Sequence, residues 1–115
     1  MSYTTQMDAA RQGIITPEMK AVAASEHIAE DELRELIALG QVIIPANKNH
    51  KCLKPNGIGS RLRTKINVNL GTSRDWTDLD MEMEKVKSAV DMGAEAIMDL
   101  SSCGDTQKFR RKLTS

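Results

Sequence analysis

Residues 64–100 read as strand, helix, strand, an order that very few folds accommodate. Thr64 to Leu70 (TKINVNL) alternates, with Ile66, Val68 and Leu70 on one face and Lys65, Asn67 and Asn69 on the other. Gly71-Thr72-Ser73 closes that strand as a turn. Thr77 with Asp80 three residues on is a helix-capping signal, and Leu79, Met83, Val86 and Val90 form an apolar stripe that runs to Gly93. Glu95 to Leu100 (EAIMDL) supplies a second strand, and a last helix starting near Asp105 carries Phe109 and Leu113 on one edge. Two strands joined by a helix of this length form a right-handed parallel βαβ unit. Parallel strands need both faces covered, and a two-stranded sheet seldom stands alone. The sheet or barrel is therefore expected to continue beyond Ser115 in a parent protein, or to be completed by another chain.

The first part of the chain has a different grammar. Thr5 stands three residues before Asp8 like a capping box, and Gly13 ends a short first helix. Thr16 is a natural N-cap for a second helix, with Pro17 at its first position, Glu18 near its positive end and Met19, Val22 and Ala23 on one face. A third helix fits Glu30 to Leu39, with Leu33, Leu36, Ile37 and Leu39 apolar and Gly40 just past its end. Val42-Ile43-Ile44 is a short β-prone run stopped by Pro45, and Pro, Asn, Gly and Lys dominate from there to Ser60, which reads as a loop. The expected organisation is a helical lobe and basic connector over residues 1–63, then βαβα over 64–115.

Composition bounds the partners. A chain of 115 residues is one small domain at most, and its 28% charged and 40% hydrophobic residues suit a globular protein with a core. Sixteen basic residues cancel sixteen acidic ones, which removes the bulk argument for nucleic-acid or membrane-surface binding. No apolar run approaches a membrane span and the N-terminus lacks a signal-peptide layout, so a cytoplasmic chain is expected. Neutrality nevertheless conceals a basic middle: Lys48, Lys51, Lys54, Arg61, Arg63 and Lys65 occur between Pro45 and Lys65 with no acidic residue. That segment reads either as a solvated connector or as a contact for phosphate or RNA. Aromatic residues are only 3% of the chain, too few for a base-stacking surface.

In parallel α/β folds the ligand site lies beyond the carboxyl ends of the strands. Here those ends deliver Asn67 and Asn69 into Gly71-Thr72-Ser73, and Met98 and Asp99 into Ser101-Ser102. Asn both donates and accepts, which suits a neutral polar ligand such as a heterocycle or sugar; equally, Asn69, Thr72 and Ser73 could simply satisfy turn backbone. Asp99 is a candidate buried carboxylate with a local partner, and Met98 reads as core filler. His27 is expected on the surface and His50 in an exposed loop. Gly57-Ile58-Gly59-Ser60 matches a phosphate cradle only loosely. Cys52 and Cys103 are too far apart for a zinc pair and fit a reducing compartment. Cys103 reads as an inert thiol or, near a helix start, as a reactive one.

Four ordered blocks carry a resemblance that patterning alone does not supply: Met7 to Pro17 (MDAARQGIITP), Val42 to Asn49 (VIIPANKN), Lys65 to Gly71 (KINVNLG) and Ala96 to Ser101 (AIMDLS). Together they resemble the radical-AdoMet phosphomethylpyrimidine synthase family of thiamine biosynthesis. The resemblance implies a helical N-terminal region followed by a (β/α)8 barrel, of which this chain would hold the lobe and the first two β/α units. It implies a homodimer, a [4Fe–4S] cluster on a C-x-x-C-x-x-x-x-C motif, and S-adenosylmethionine cleaved to a radical that rearranges aminoimidazole ribotide. By position, Asn69 and Met98 match the family's substrate-binding Asn and Met. The cluster motif does not occur in these 115 residues, so neither cofactor is expected to bind this chain alone and the chain alone is expected to be inactive. Asn67-Val68-Asn69-Leu70-Gly71 and Met98-Asp99-Leu100-Ser101-Ser102-Cys103-Gly104 depart from the usual thiamine-enzyme wording. That keeps open a paralogous product, 5-hydroxybenzimidazole for anaerobic cobamide biosynthesis, made from the same ribotide. A freestanding phosphate- or RNA-binding module is the alternative of another class.

Overall fold

The computed structural model describes residues 2–50 and 52–115, which gather into two compact units: 2–49 with 53–64, and 50, 52 and 65–115. Lys51, counted above in the basic segment, lies outside the described residues.

The first unit contains α1 (Gln6–Arg11), α2 (Pro17–Glu26) and α3 (Glu30–Ala38). Local chemistry starts the first two. Thr5 Oγ1 accepts from the Asp8 N–H at 3.1 Å, and Thr16 Oγ1 accepts from the Met19 N–H at 3.2 Å. The Asp8 carboxylate accepts from the Thr4 N–H at 3.0 Å instead of closing back on Thr5, so the box is shifted by one residue. Gly40 follows the α3 C-cap at φ +75, a left-handed position that glycine occupies without strain. Met19, Val22, Leu33 and Ile37 form the centre of the core, with Ala9, Ala10, Val42 and Ile44 around them. Leu39, expected on the apolar face of the third helix, is 70% exposed. The helix ends at Ala38, and Leu39 is its C-cap, outside the repeating face.

The connector is not a loop throughout. Within it, β2 (Ile58–Gly59) pairs antiparallel with β1 (Val42–Ile43), Val42 opposite Gly59 and Ile43 opposite Ile58. Gly59 makes this pairing possible: at φ +142, a Cβ there would lie 2.1 Å from the Gln41 carbonyl oxygen. The Ser60 N–H donates to that same oxygen at 3.0 Å. Gly57 packs against the Leu62 and Val22 side chains and Gly59 against the Gln41–Val42 backbone, so both glycines of Gly57-Ile58-Gly59-Ser60 serve close packing in this unit.

The second unit contains β3 (Asn67–Leu70), α4 (Leu79–Asp91), β4 (Ala96–Asp99) and α5 (Thr106–Leu113). The two strands are parallel, with Asn67 beside Ala96, Val68 beside Ile97, Asn69 beside Met98 and Leu70 beside Asp99. Both strands are shorter than the sequence pattern suggested. The ladder starts only at Asn67, because the Glu95 side chain takes the Ile66 N–H at 2.8 Å. Leu70, Val86 and Phe109 are the buried core here, with Leu79, Met83, Ile97 and Leu113 packed against them. Two details of α4 differ from expectation. Its cap is Asp78, whose Oδ1 accepts from the Met81 N–H at 3.0 Å, while the Thr77 hydroxyl donates to Ser73 O at 2.8 Å. Val90 is 59% exposed, since Glu82, Val86 and Ala89 are the buried positions and Val90 lies at the margin of that face. The described residues thus form a mixed α/β chain with two small sheets and no closed barrel. No helix among them is long and apolar enough to cross a membrane.

Candidate functional site at the carboxyl ends of the parallel strands

Period-two alternation divides the β3–β4 sheet. Leu70 and Ile97 face the core with α4 and α5, whereas Asn67, Asn69 and Met98 lie on the opposite face and are exposed. Register places Asn69 directly beside Met98, so a polar amide and a polarisable thioether share one spot on the bare face. Asn67 Nδ2 donates to Asn69 Oδ1 at 2.8 Å. This bond orients the Asn69 amide and leaves its Nδ2 donors, along with Asn67 Oδ1, without a partner among the described residues. Asn69 does not satisfy turn backbone. Met98 is 48% exposed and lies outside the apolar cluster of this unit.

The turn residues beyond the strands have the structural role instead. Buried Thr72 donates its N–H to Ser101 Oγ at 3.1 Å and its hydroxyl to Cys103 O at 2.5 Å, and its carbonyl accepts from the Ser102 N–H at 2.9 Å. Gly71 permits the approach, because a Cβ there would lie 2.6 Å from the Leu100–Ser101 peptide. The two strand-end loops are consequently laced into one rigid rim below Asn69 and Met98.

Asp99 points to the helix side of the sheet and has a structural partner. Its Oδ2 accepts from Arg110 Nε at 2.7 Å and its Oδ1 from the Ser101 N–H at 2.9 Å. Burial pushes its pKa up, but hydrogen bonds from Ser101 and the Arg110 guanidinium outweigh that and hold it below the ordinary carboxylate value. A carboxylate so engaged is a poor acid or base.

Glu82 was invisible to the sequence reading. It is fully buried on α4, where Oε2 accepts from the Gly71 N–H at 2.9 Å and Oε1 pairs with Lys85 Nζ at 2.8 Å. The available signal was its spacing, three residues after Leu79 and four before Val86, which sets a carboxylate on the buried face.

Other candidates lie apart from this constellation. His27 is the exposed left-handed C-cap of α2. His50 is half-buried rather than exposed. Arg61 of the basic segment pairs with Glu32, which compensates part of that segment's charge within the first unit, and the Arg63 backbone N–H donates to Glu26 at 2.8 Å. Iron–sulfur clusters are held by several Cys thiolates, and the chain has two cysteines. Among the described residues no three His, Cys, Asp or Glu side chains gather to hold a metal. These residues do not fit a [4Fe–4S] cluster.

A parallel β/α unit with an oriented amide on its exposed sheet face places this half of the chain in the α/β class. Residues 5–115 match the model of the Radical SAM ThiC family, and the chain belongs to that family. It is 65% identical over 113 residues to a phosphomethylpyrimidine synthase of Clostridioides difficile, a match covering 98% of this chain and 26% of the relative. A phosphomethylpyrimidine synthase of Alkaliphilus oremlandii is 64% identical over 115 residues, covering all of this chain and 26% of its own length. The corresponding protein of Clostridium botulinum strain 657 is 62% identical over 113 residues. The chain thus spans about a quarter of the length of the curated relatives it matches.

Proposed function

We propose that this chain contributes the helical lobe (residues 1–63) and the first two β/α units (64–115) of a (β/α)8 barrel in a radical-AdoMet C–C lyase. The complete enzyme would convert aminoimidazole ribotide to hydroxymethylpyrimidine phosphate for thiamine biosynthesis, as a cytoplasmic homodimer. The observation that carries this reading is the Asn69–Met98 pair on the bare face of the sheet, in a chain of this family. Inside a barrel that face would line the interior, and its residues at the carboxyl ends of the strands would open onto the mouth where substrate is held. Asn69 would donate a hydrogen bond to the ribotide's polar ring or ribose atoms, and Met98 would pack against it. The [4Fe–4S] cluster and S-adenosylmethionine supply the radical in such enzymes, while side chains like these hold and shield the substrate.

The relatives named phosphomethylpyrimidine synthase support the thiamine reading at the level of the family, and the product separates it from 5-hydroxybenzimidazole synthesis. The Glu32 partner of Arg61 weighs against a phosphate- or RNA-binding module built on the basic connector. The test is to express the complete reading frame, reconstitute the cluster anaerobically, and identify by mass spectrometry what it makes from ribotide and S-adenosylmethionine. Hydroxymethylpyrimidine phosphate is the expected product. 5-Hydroxybenzimidazole would move the protein to the cobamide branch, and a reading frame that stops at Ser115 would sink the enzyme reading.

A further inference from the structure

The buried Glu82 is unusual enough to require a reason. A carboxylate with no exposed surface is costly unless its oxygens are fully engaged, and an apolar residue at this position would continue the buried face of α4. What Glu82 does instead is reach the carboxyl end of β3. Leu70 O accepts from the Leu100 N–H at 2.7 Å and the Thr72 N–H donates to Ser101 Oγ, so both neighbours of Gly71 spend their groups toward β4. Alternation turns the Gly71 N–H away from that ladder, and there Glu82 Oε2 receives it at 2.9 Å. Lys85, one turn along α4, holds the other carboxylate oxygen at 2.8 Å and fixes the rotamer. The strand end two residues beyond Asn69 is thereby pinned from the helix side by Glu82 and from the β4 side by Thr72.

We infer that Glu82 is a positioning residue for the substrate face: through Gly71 it sets the height and tilt of Asn69 relative to Met98. This inference rests on the ligand-binding reading of Asn69 given above. Its chemistry is one of geometry, since Glu82 sits on the opposite side of the sheet from Asn69 and touches no substrate.

The experiment compares Glu82→Leu, Glu82→Gln and Asn69→Ala in the protein expressed from its complete reading frame. Readouts are ribotide affinity by calorimetry, cluster content by absorbance and thermal midpoint. Glu82→Leu keeps the volume and removes the acceptor; ribotide Kd is expected to rise about tenfold, the effect of one misaligned hydrogen bond, with cluster content unchanged. Glu82→Gln keeps an acceptor for Gly71 and is expected to recover most of that affinity, a rescue that a charge effect would not give. Wild-type affinity in Glu82→Leu, or Glu82→Gln as weak as Glu82→Leu, overturns the inference. If Glu82→Leu does not fold, Glu82→Asp decides: drawing the carboxylate back from Gly71 must weaken binding severalfold, and unchanged affinity overturns the inference. Asn69→Ala separates the two readings. Loss of affinity there without loss in the Glu82 variants removes only the positioning role, whereas wild-type affinity in Asn69→Ala removes the site itself.

Discussion

The two units solve the burial problem differently. The first closes a core of ten buried side chains, nearly all aliphatic, around Met19, Leu33 and Ile37. In the second, the apolar cluster among the described residues is smaller, with Leu70, Val86 and Phe109 buried and Leu79, Met83, Ile97 and Leu113 packed against them, and polar lacing adds to it: Glu82 to Gly71, Thr72 to Ser101 and Cys103, Asp99 to Arg110. Apolar packing is non-directional and tolerates small displacements, whereas hydrogen bonds specify positions. The unit that presents the candidate site combines a smaller apolar cluster with buried directional contacts at its strand ends.

Four substitutions break or sharpen that contrast. The largest effect is expected from Leu33→Ala, which opens a cavity in the aliphatic core and should cost about 3 kcal/mol in urea unfolding; a cost below about 1 kcal/mol would mean the first unit is not held by its core. Asn69→Ala should weaken ribotide binding about tenfold, roughly 1.4 kcal/mol, while leaving stability and cluster content alone. A fall in stability instead would make Asn69 structural.

Asp99→Asn tests the lacing and should cost about 1 kcal/mol near neutral pH, a modest value because Arg110 is half-exposed. The pH dependence has a definite sign. With its folded pKa below the ordinary 3.8, Asp99 stabilises the fold above that pH and loses its contribution as pH falls through the folded value. The variant should therefore differ from wild type at pH 7 and converge with it in acid; a constant gap across the acid limb would mean that the Arg110 pair contributes nothing. Smallest is Val90→Lys, expected within about 0.5 kcal/mol of wild type, whereas a large loss would put Val90 back on the buried face.

Much of this molecule was legible in its residues because the signals act over a few positions. Thr5 and Thr16 cap their helices and Asp105 caps α5, each through a side-chain oxygen three residues from the N–H it accepts. Alternation separated Asn67 and Asn69 from Val68 and Leu70 before any contact was known. Family membership was legible too, from four short blocks in order.

Tertiary structure decided the rest, wherever the outcome depended on what lay opposite in space. Ile58–Gly59 is a strand only because Val42–Ile43 is there to pair with it and Gly59 has no Cβ to collide with Gln41. Asp78 displaced Thr77 as cap because Ser73 O took the Thr77 hydroxyl. Glu82 is buried because an otherwise unpaired amide at Gly71, eleven residues away, meets it. Sequence alone determined the helices, the parallel strands and their two faces, since caps and periodicity are properties of neighbours along the chain. Which polar groups would be buried, and what they would hold, was set by partners distant in sequence, because a hydrogen bond depends on distance and angle in space.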